Sequence, residues 1–159
     1  MGDPKKQKKQ YERPLIPWDE RRIDKEKELM EDYGLKRKEE ILRMESFLRK
    51  LRRRARDIAA GGSEEERKRL LKKCRNIRLI GEDDDVGQIL RIELRDVLER
   101  RLQTLVSKIE GVKSPKHARQ LINHGHVTVG GKKRTSPSFL VPKNIEDEMK
   151  VEEKMLVGE

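Results

Sequence analysis

Apolar residues step by three and four through most of this chain and by two only beyond residue 126. The pattern therefore predicts helices first and a small β region last. Ile41, Met44, Leu48, Leu51, Ala55 and Ile58 form one stripe over residues 36–60, the longest predicted helix. An earlier helix is expected from an N-cap at Asp19 to Tyr33, with Gly34 as its left-handed stop. Trp18 and Ile23 occupy the two positions of a hydrophobic staple, so Trp18 reads as a packing anchor rather than a base-stacking platform. Gly61-Gly62 break the long helix. Ser63 and Glu66 then make an S-x-x-E capping pattern, and the short helix that follows carries Leu70, Leu71 and Cys74 inward. Glu82–Asp85 reads as a solvated acidic connector; its spacing matches no calcium loop.

The second half repeats the logic with shorter elements. Leu98, Leu102, Leu105, Val106 and Ile109 fall on one face of an amphipathic helix over 96–110, closed by Gly111, with Arg101, Thr104 and Lys108 along one flank. Ser114 at the N-cap with Pro115 at the first helical position starts another helix, which Gly125 ends. Its inner face holds Ala118, Leu121 and Ile122. Val127 and Val129 alternate with His126 and Thr128 as a strand would. Gly130-Gly131 signals a two-residue hairpin turn, 132–135 its return strand, and Phe139 and Val141 a further short alternation. Beyond, Ile145, Met149, Val151, Met155 and Val157 share odd positions, which hints at strand, while the acidity there points equally to a solvated tail. The expected fold class is mainly α with a small β-hairpin and short-strand region (α+β).

Charge changes the picture from fold to partner. The chain has 159 residues, 44% of them charged and 33% apolar, a formal charge of +10 and a pI near 9.8. That is too little apolar material for one large core, so thin helical layers with wet or partner-bound faces are expected. The stretch from Gly111 to Ile145 contains no acid, yet holds all three histidines and seven cations. A body that is basic in this uneven way suits nucleic acid. A membrane is the competing polyanion, but the sequence has no long apolar run and no Trp/Phe/Leu-rich amphipathic anchor. The one cysteine, Cys74, excludes an internal disulfide and a cysteine zinc cluster, fits a reduced compartment, and reads as a small buried hydrophobe. Residues 1–17 read as a basic extended arm, with Lys5, Lys6, Lys8 and Lys9 for charge and Pro14 and Pro17 against helix, equally a disordered basic terminus or an arm that orders against phosphate; the terminus lacks the apolar stretch of a secretory signal.

Candidate anion contacts follow from the elements. Free N–H groups of Ser114 and Lys116, on either side of Pro115, attract phosphate at a helix start. Lys116, Arg119, Gln120 and Asn123 share the outer face of that helix at i, i+3, i+4, i+7, and that face carries no acid. The hairpin adds Lys132, Lys133 and Arg134; Arg101 and Lys108 flank the preceding helix; His117, His124 and His126 offer polar groups to phosphate. Six cations crowd residues 49–56, with Arg49, Lys50, Arg53 and Arg54 as the expected contacts. No acid adjoins the histidines in sequence, and there is no Ser/His/Asp set, phosphate-binding glycine loop or metal cluster, so no enzyme is expected.

The run Ser114-Pro115-Lys116-His117-Ala118-Arg119-Gln120-Leu121-Ile122, then Gly125-His126-Val127-Thr128-Val129-Gly130-Gly131 and Ser136-Pro137-Ser138, with Arg101-Leu102 before it, resembles the S-four (alpha-L) RNA-binding domain. Leu98-Glu99-Arg100-Arg101-Leu102-Gln103-Thr104, Pro17-Trp18 and Tyr33-Gly34-Leu35 extend the likeness to the archaeal and eukaryotic form of the universal small-subunit ribosomal protein S-four family, over almost the whole chain up to about Val141. The resemblance implies a helical amino-terminal domain beside the RNA-binding module, so with the arm over 1–17 the chain divides into a helical domain over 18–93, an S-four-type domain over 94–143 and an acidic tail over 144–159. It also implies a structural component of the small ribosomal subunit that binds small-subunit ribosomal RNA early in assembly, beside other ribosomal proteins and near where messenger RNA enters, and that influences decoding accuracy. It implies no cofactor; the zinc-binding amino-terminal cysteines of some bacterial relatives are absent. The alternative is a free assembly or stress factor built on the same domain. Arg134 departs from the family's apolar strand residue. Across a two-residue hairpin it would face Val127, its stem covering the core and its head reaching out.

Overall fold

The computed structural model describes residues 9–152. In order they form α1 (Glu20–Asp32), α2 (Lys38–Ala59), α3 (Glu64–Asn76), α4 (Val86–Arg91), α5 (Leu94–Glu99), α6 (Leu102–Ser107), α7 (Pro115–Asn123), β1 (Val127–Val129), β2 (Lys132–Lys133), α8 (Lys143–Glu146) and β3 (Lys150–Val151). The fold is mainly α with one small antiparallel sheet of order β2-β1-β3.

The long helix α2 organises the first half. Its predicted stripe is its buried one: Leu48, Leu51 and Ala55 pack with Leu70 and Cys74 of α3, Val86 and Ile89 of α4, and Val97 of α5. Ser63 caps α3 as expected, accepting from the Glu66 amide at 3.3 Å. Cys74 is fully buried, and burial pushes its thiol up from the usual value. Helix α4 follows the acidic connector; Val86, Ile89 and Ile92 supply the three-residue step that marks it, a helix absent from the expectations drawn from sequence. In the connector, Asp84 accepts from the Gly81 amide, Asp85 pairs with Arg67, and Glu82 pairs with Lys143.

A second core holds the second half together. Leu102 and Val106 of α6, Ala118, Leu121 and Ile122 of α7, Val127 and Val129 of β1, and Val141 are its buried members. Gly130 and Gly131 both take positive φ (58° and 70°), the turn that a two-residue hairpin needs. Burying Tyr33, Leu35, Ile41 and Leu98 together joins the two halves.

Three expectations need correction. The predicted helix over 96–110 is two helices, because Arg100 and Arg101 leave the helical path. Arg101 bridges Leu140, the Leu102 amide donates to the Phe139 carbonyl at 2.7 Å, and the Val141 amide donates to Arg100 at 3.1 Å. The 139–141 alternation is thus real, and its partner is the α5–α6 junction. Trp18 is no packing anchor: its side chain is 86% exposed, and Asp19 makes no side-chain cap. The end of the chain is no free tail as far as residue 152. Ile145, Met149 and Val151 pack on the second core, and Val151 pairs with Val127 in β3–β1 register, satisfying the strand reading. The remaining positions of that reading, Met155 and Val157, lie outside the described residues.

Candidate nucleic-acid interface

Helix α7 starts as its sequence dictates. Ser114 is extended, its hydroxyl accepts from the His117 amide at 3.2 Å, and Pro115 occupies the first turn. Such a cap stabilises by about 1 kcal/mol. Lys116, Gln120 and Asn123 are exposed along one face, as predicted. Their neighbour Arg119 leans inward instead. Its guanidinium meets Glu40 of α2 at 3.0 Å and the Gln103 side-chain oxygen at 3.3 Å. Half-buried His117 accepts from the Lys113 amide at 3.3 Å.

Glu40 also receives Arg101, which is 0% exposed and therefore cannot touch RNA in this fold. The reading of Arg101 as an RNA contact is thus corrected. The strand-like backbone at the α5–α6 junction turns the side chain into the molecule, and the carboxylate that neutralises it stands 61 residues earlier in the chain. Thr104, on the same predicted flank, is buried and donates to the Leu98 carbonyl at 2.7 Å. Lys108 alone of that strip is exposed, paired with Glu99. Burial works against ionising Glu40, but the Arg119 and Arg101 guanidiniums outweigh it and hold the carboxyl below its ordinary value. Gln103 completes the joint, its amide donating to the carbonyls of Tyr33, Gly34 and Pro115 at 2.9–3.0 Å.

At the hairpin, Lys132 and Lys133 are exposed. Arg134 behaves as its register predicts: its amide donates to the Val127 carbonyl at 3.0 Å, and its guanidinium lies 4.8 Å from the centre of the Phe139 ring. His124 and His126 stack with ring centres 6.3 Å apart. His126 hydrogen-bonds Glu152 at 2.9 Å, and Lys133 approaches the same carboxylate at 3.5 Å. The expectation that no acid adjoins the histidines is therefore also corrected. The 111–145 stretch is acid-free along the chain, but the fold brings Glu40, Glu152 and Glu82 to Arg119, His126 and Lys143.

Between α2 and α7 runs a cleft of about 710 Å³. Lys36, Arg37, Arg43, Lys50 and Arg119 line it, with Asn123, Pro137 and Ser138 on the α7 side and Glu39 and Glu40 as the acids. Of the predicted α2 cations, Lys50 faces this cleft. Arg49 turns toward a separate cavity beside α1, α4 and α5, where Arg52 and Arg56 also lie. Arg53 and Arg54 are exposed, Arg54 on the α3 side. Lys9 is exposed, whereas Lys5, Lys6 and Lys8 lie outside the described residues. Lys36 and Arg37 run with Lys38 directly into Glu39 and Glu40, which balance them along the chain, and Arg43 stands alone, so none of the three marks a basic cluster like that of residues 49–56. Arg43 and Lys50, seven residues apart on one helix, were the available hint.

A family model described as S4 domain matches residues 100–146. The small ribosomal subunit protein uS4 of Ignicoccus hospitalis is 41% identical over 150 residues, covering 92% of this chain and 90% of that protein. The chain belongs to the uS4 family. The uS4 proteins of Methanococcus aeolicus and Thermoplasma acidophilum are 42% and 38% identical over 92% and 96% of this chain, and the matches cover 85% and 80% of those proteins. The S4-domain span begins and ends on a bonded pair: Arg100 forks onto both carboxylate oxygens of Glu146, at 2.6 and 3.3 Å. That bidentate pair holds Glu146 below its ordinary value and staples the two ends of the span together.

Proposed function

We propose that this uS4-family chain is a structural component of the small ribosomal subunit and binds small-subunit ribosomal RNA chiefly through phosphates. The cleft between α2 and α7 carries the reading: five cations line one hollow whose two acids pair with Arg43 and Arg119, so Lys36, Arg37 and Lys50 face it outside any ion pair among the described residues, and Lys116 and Lys132 are likewise exposed and outside any ion pair. Such a surface reads backbone shape and charge rather than base edges. Among the contacts proposed from the sequence, Lys50, Lys116, Gln120, Asn123, Lys132 and Lys133 are exposed and are kept in this reading; Lys36, Arg37 and Arg43 join them. The reading assigns no catalysis and no cofactor. It places the chain on the cytoplasmic ribosome; among the described residues no helix is long and apolar enough to cross a membrane. Roles in early assembly and decoding accuracy, a place near the messenger-RNA entrance and contacts with neighbouring ribosomal proteins belong to the same proposal.

Sedimentation separates a resident component from a free factor. A resident chain stays with the small subunit through moderate salt. A factor washes into the supernatant, and that outcome would overturn the proposal.

A further inference from the structure

The segment just before α1 stands apart from every core described above. Leu15 is 100% exposed, Ile16 69% and Trp18 86%; among the described residues the one other large apolar side chain marked out in this way is Leu90, at 40%. An indole in a staple would be covered, and this one is in water. The segment is nevertheless anchored. Glu12 pairs with Arg49 on α2, Tyr11 is half-buried, and Gln10 lines the same cleft as Lys50 and Arg119. Pro14 and Pro17 restrict the backbone between that anchor and the ring. The arm that carries the indole is thus tied to α2 while the ring itself stands in solvent. Exposed Arg13 and Arg21 stand five residues before and three residues after it in the chain, and neither has an ion-pair partner among the described residues.

The patch is one short turn of chain. A stable protein interface buries about 1,200–2,000 Å² in total, far more than such a segment supplies. A lipid surface would need further exposed apolar side chains along α1, yet Ile23, Leu29 and Met30 are half-covered by the body. An unpaired nucleobase fits better. Stacking on an indole accepts any base, and cations on either side meet the adjoining phosphates. We infer that Trp18 stacks on an unpaired base of the bound RNA while Arg13 and Arg21 meet the phosphates beside it; this rests on the RNA-binding reading above.

Trp18 is the only tryptophan, so its fluorescence reports the contact directly. The full chain is titrated with a transcript of small-subunit ribosomal RNA, and affinities of variants are measured by filter binding. Binding should quench the fluorescence. Trp18→Ala should weaken affinity by about 5- to 150-fold with an unchanged salt slope, since no charge is removed, and Trp18→Phe should recover most of the loss. The unfolding transition of Trp18→Ala should be that of the unaltered chain. Transcript binding with unchanged fluorescence and full affinity in Trp18→Ala would overturn the inference and leave the RNA reading standing. So would a Trp18→Ala chain that binds naked transcript normally but fails to enter subunits, because a protein neighbour would then cover the ring. Failure of the unaltered chain to bind the transcript at all would instead remove the RNA reading itself.

Discussion

Glu40 is where the two halves of the molecule meet electrically. It accepts from Arg101, which is buried, and from Arg119, which is half-buried, and no other carboxylate stands with them among the described hydrogen bonds. Removing one partner of a buried pair leaves an uncompensated charge. Glu40→Ala should therefore cost about 3 kcal/mol or more in urea unfolding. Lys116→Ala, on an exposed face, should change stability by less than about 0.5 kcal/mol while weakening RNA binding. Arg119→Ala should do both, which sets it apart from its helical neighbours. Acid adds a second handle. The folded carboxyls of Glu40 and Glu146 sit below the ordinary 4.5, so their contribution is fully present above pH 4.5 and is lost as pH falls through the lower folded values. Unfolding measured from pH 6 to 3 should show this slope, and Glu40→Gln should flatten it. The residue scale was also the hardest to read ahead. Arg101 sits in a basic stretch and looks outward-facing there, because nothing in the chain indicates that a glutamate 61 residues away lies opposite. Arg134, whose partner is fixed by a two-residue turn, was legible for the opposite reason: its environment is local.

Elements obey the same division between local and distant causes. The α2 stripe, the Ser63 and Ser114 caps and the Gly130-Gly131 turn all arise from signals within a few residues, and each appears where its sequence places it. The α5–α6 break does not. A helical period runs unbroken through Leu98, Leu102 and Leu105, and only pairing with 139–141 pulls Arg101 into strand geometry. Gly34 combines both causes. It takes φ +58°, as a helix stop should, and it also lies against the start of α7, where an added Cβ would stand 2.9 Å from the Pro115 Cβ and 3.0 Å from the Gln103 amide nitrogen. Gly34→Ala should therefore strain the backbone and open the joint between the halves, at a cost of about 2 kcal/mol in chemical denaturation. A loss below a few tenths would mean that the joint yields freely.

At the scale of the whole molecule, charge is sorted by folding as much as by sequence. The acid-free stretch is legible from the chain, and so is the conclusion that a polyanion is bound. The cleft itself is not, because Lys36, Arg37 and Arg43 reach α7 only when Tyr33, Leu35, Ile41 and Leu98 close the two halves on each other. The acids that return in space, Glu40 and Glu152, take up Arg119, His126 and Lys133, and leave Lys50, Lys116 and Lys132 outside any ion pair among the described residues. The central claim is that these outward cations hold RNA backbone. The most direct test is the salt dependence of affinity for a small-subunit ribosomal RNA transcript, compared between the unaltered chain and Lys50→Ala with Lys116→Ala combined. The account predicts log affinity falling linearly with log salt, with the double variant shallower by about 0.7–0.9 for each phosphate contact removed. Equal slopes for both proteins, or an affinity indifferent to salt, would contradict it.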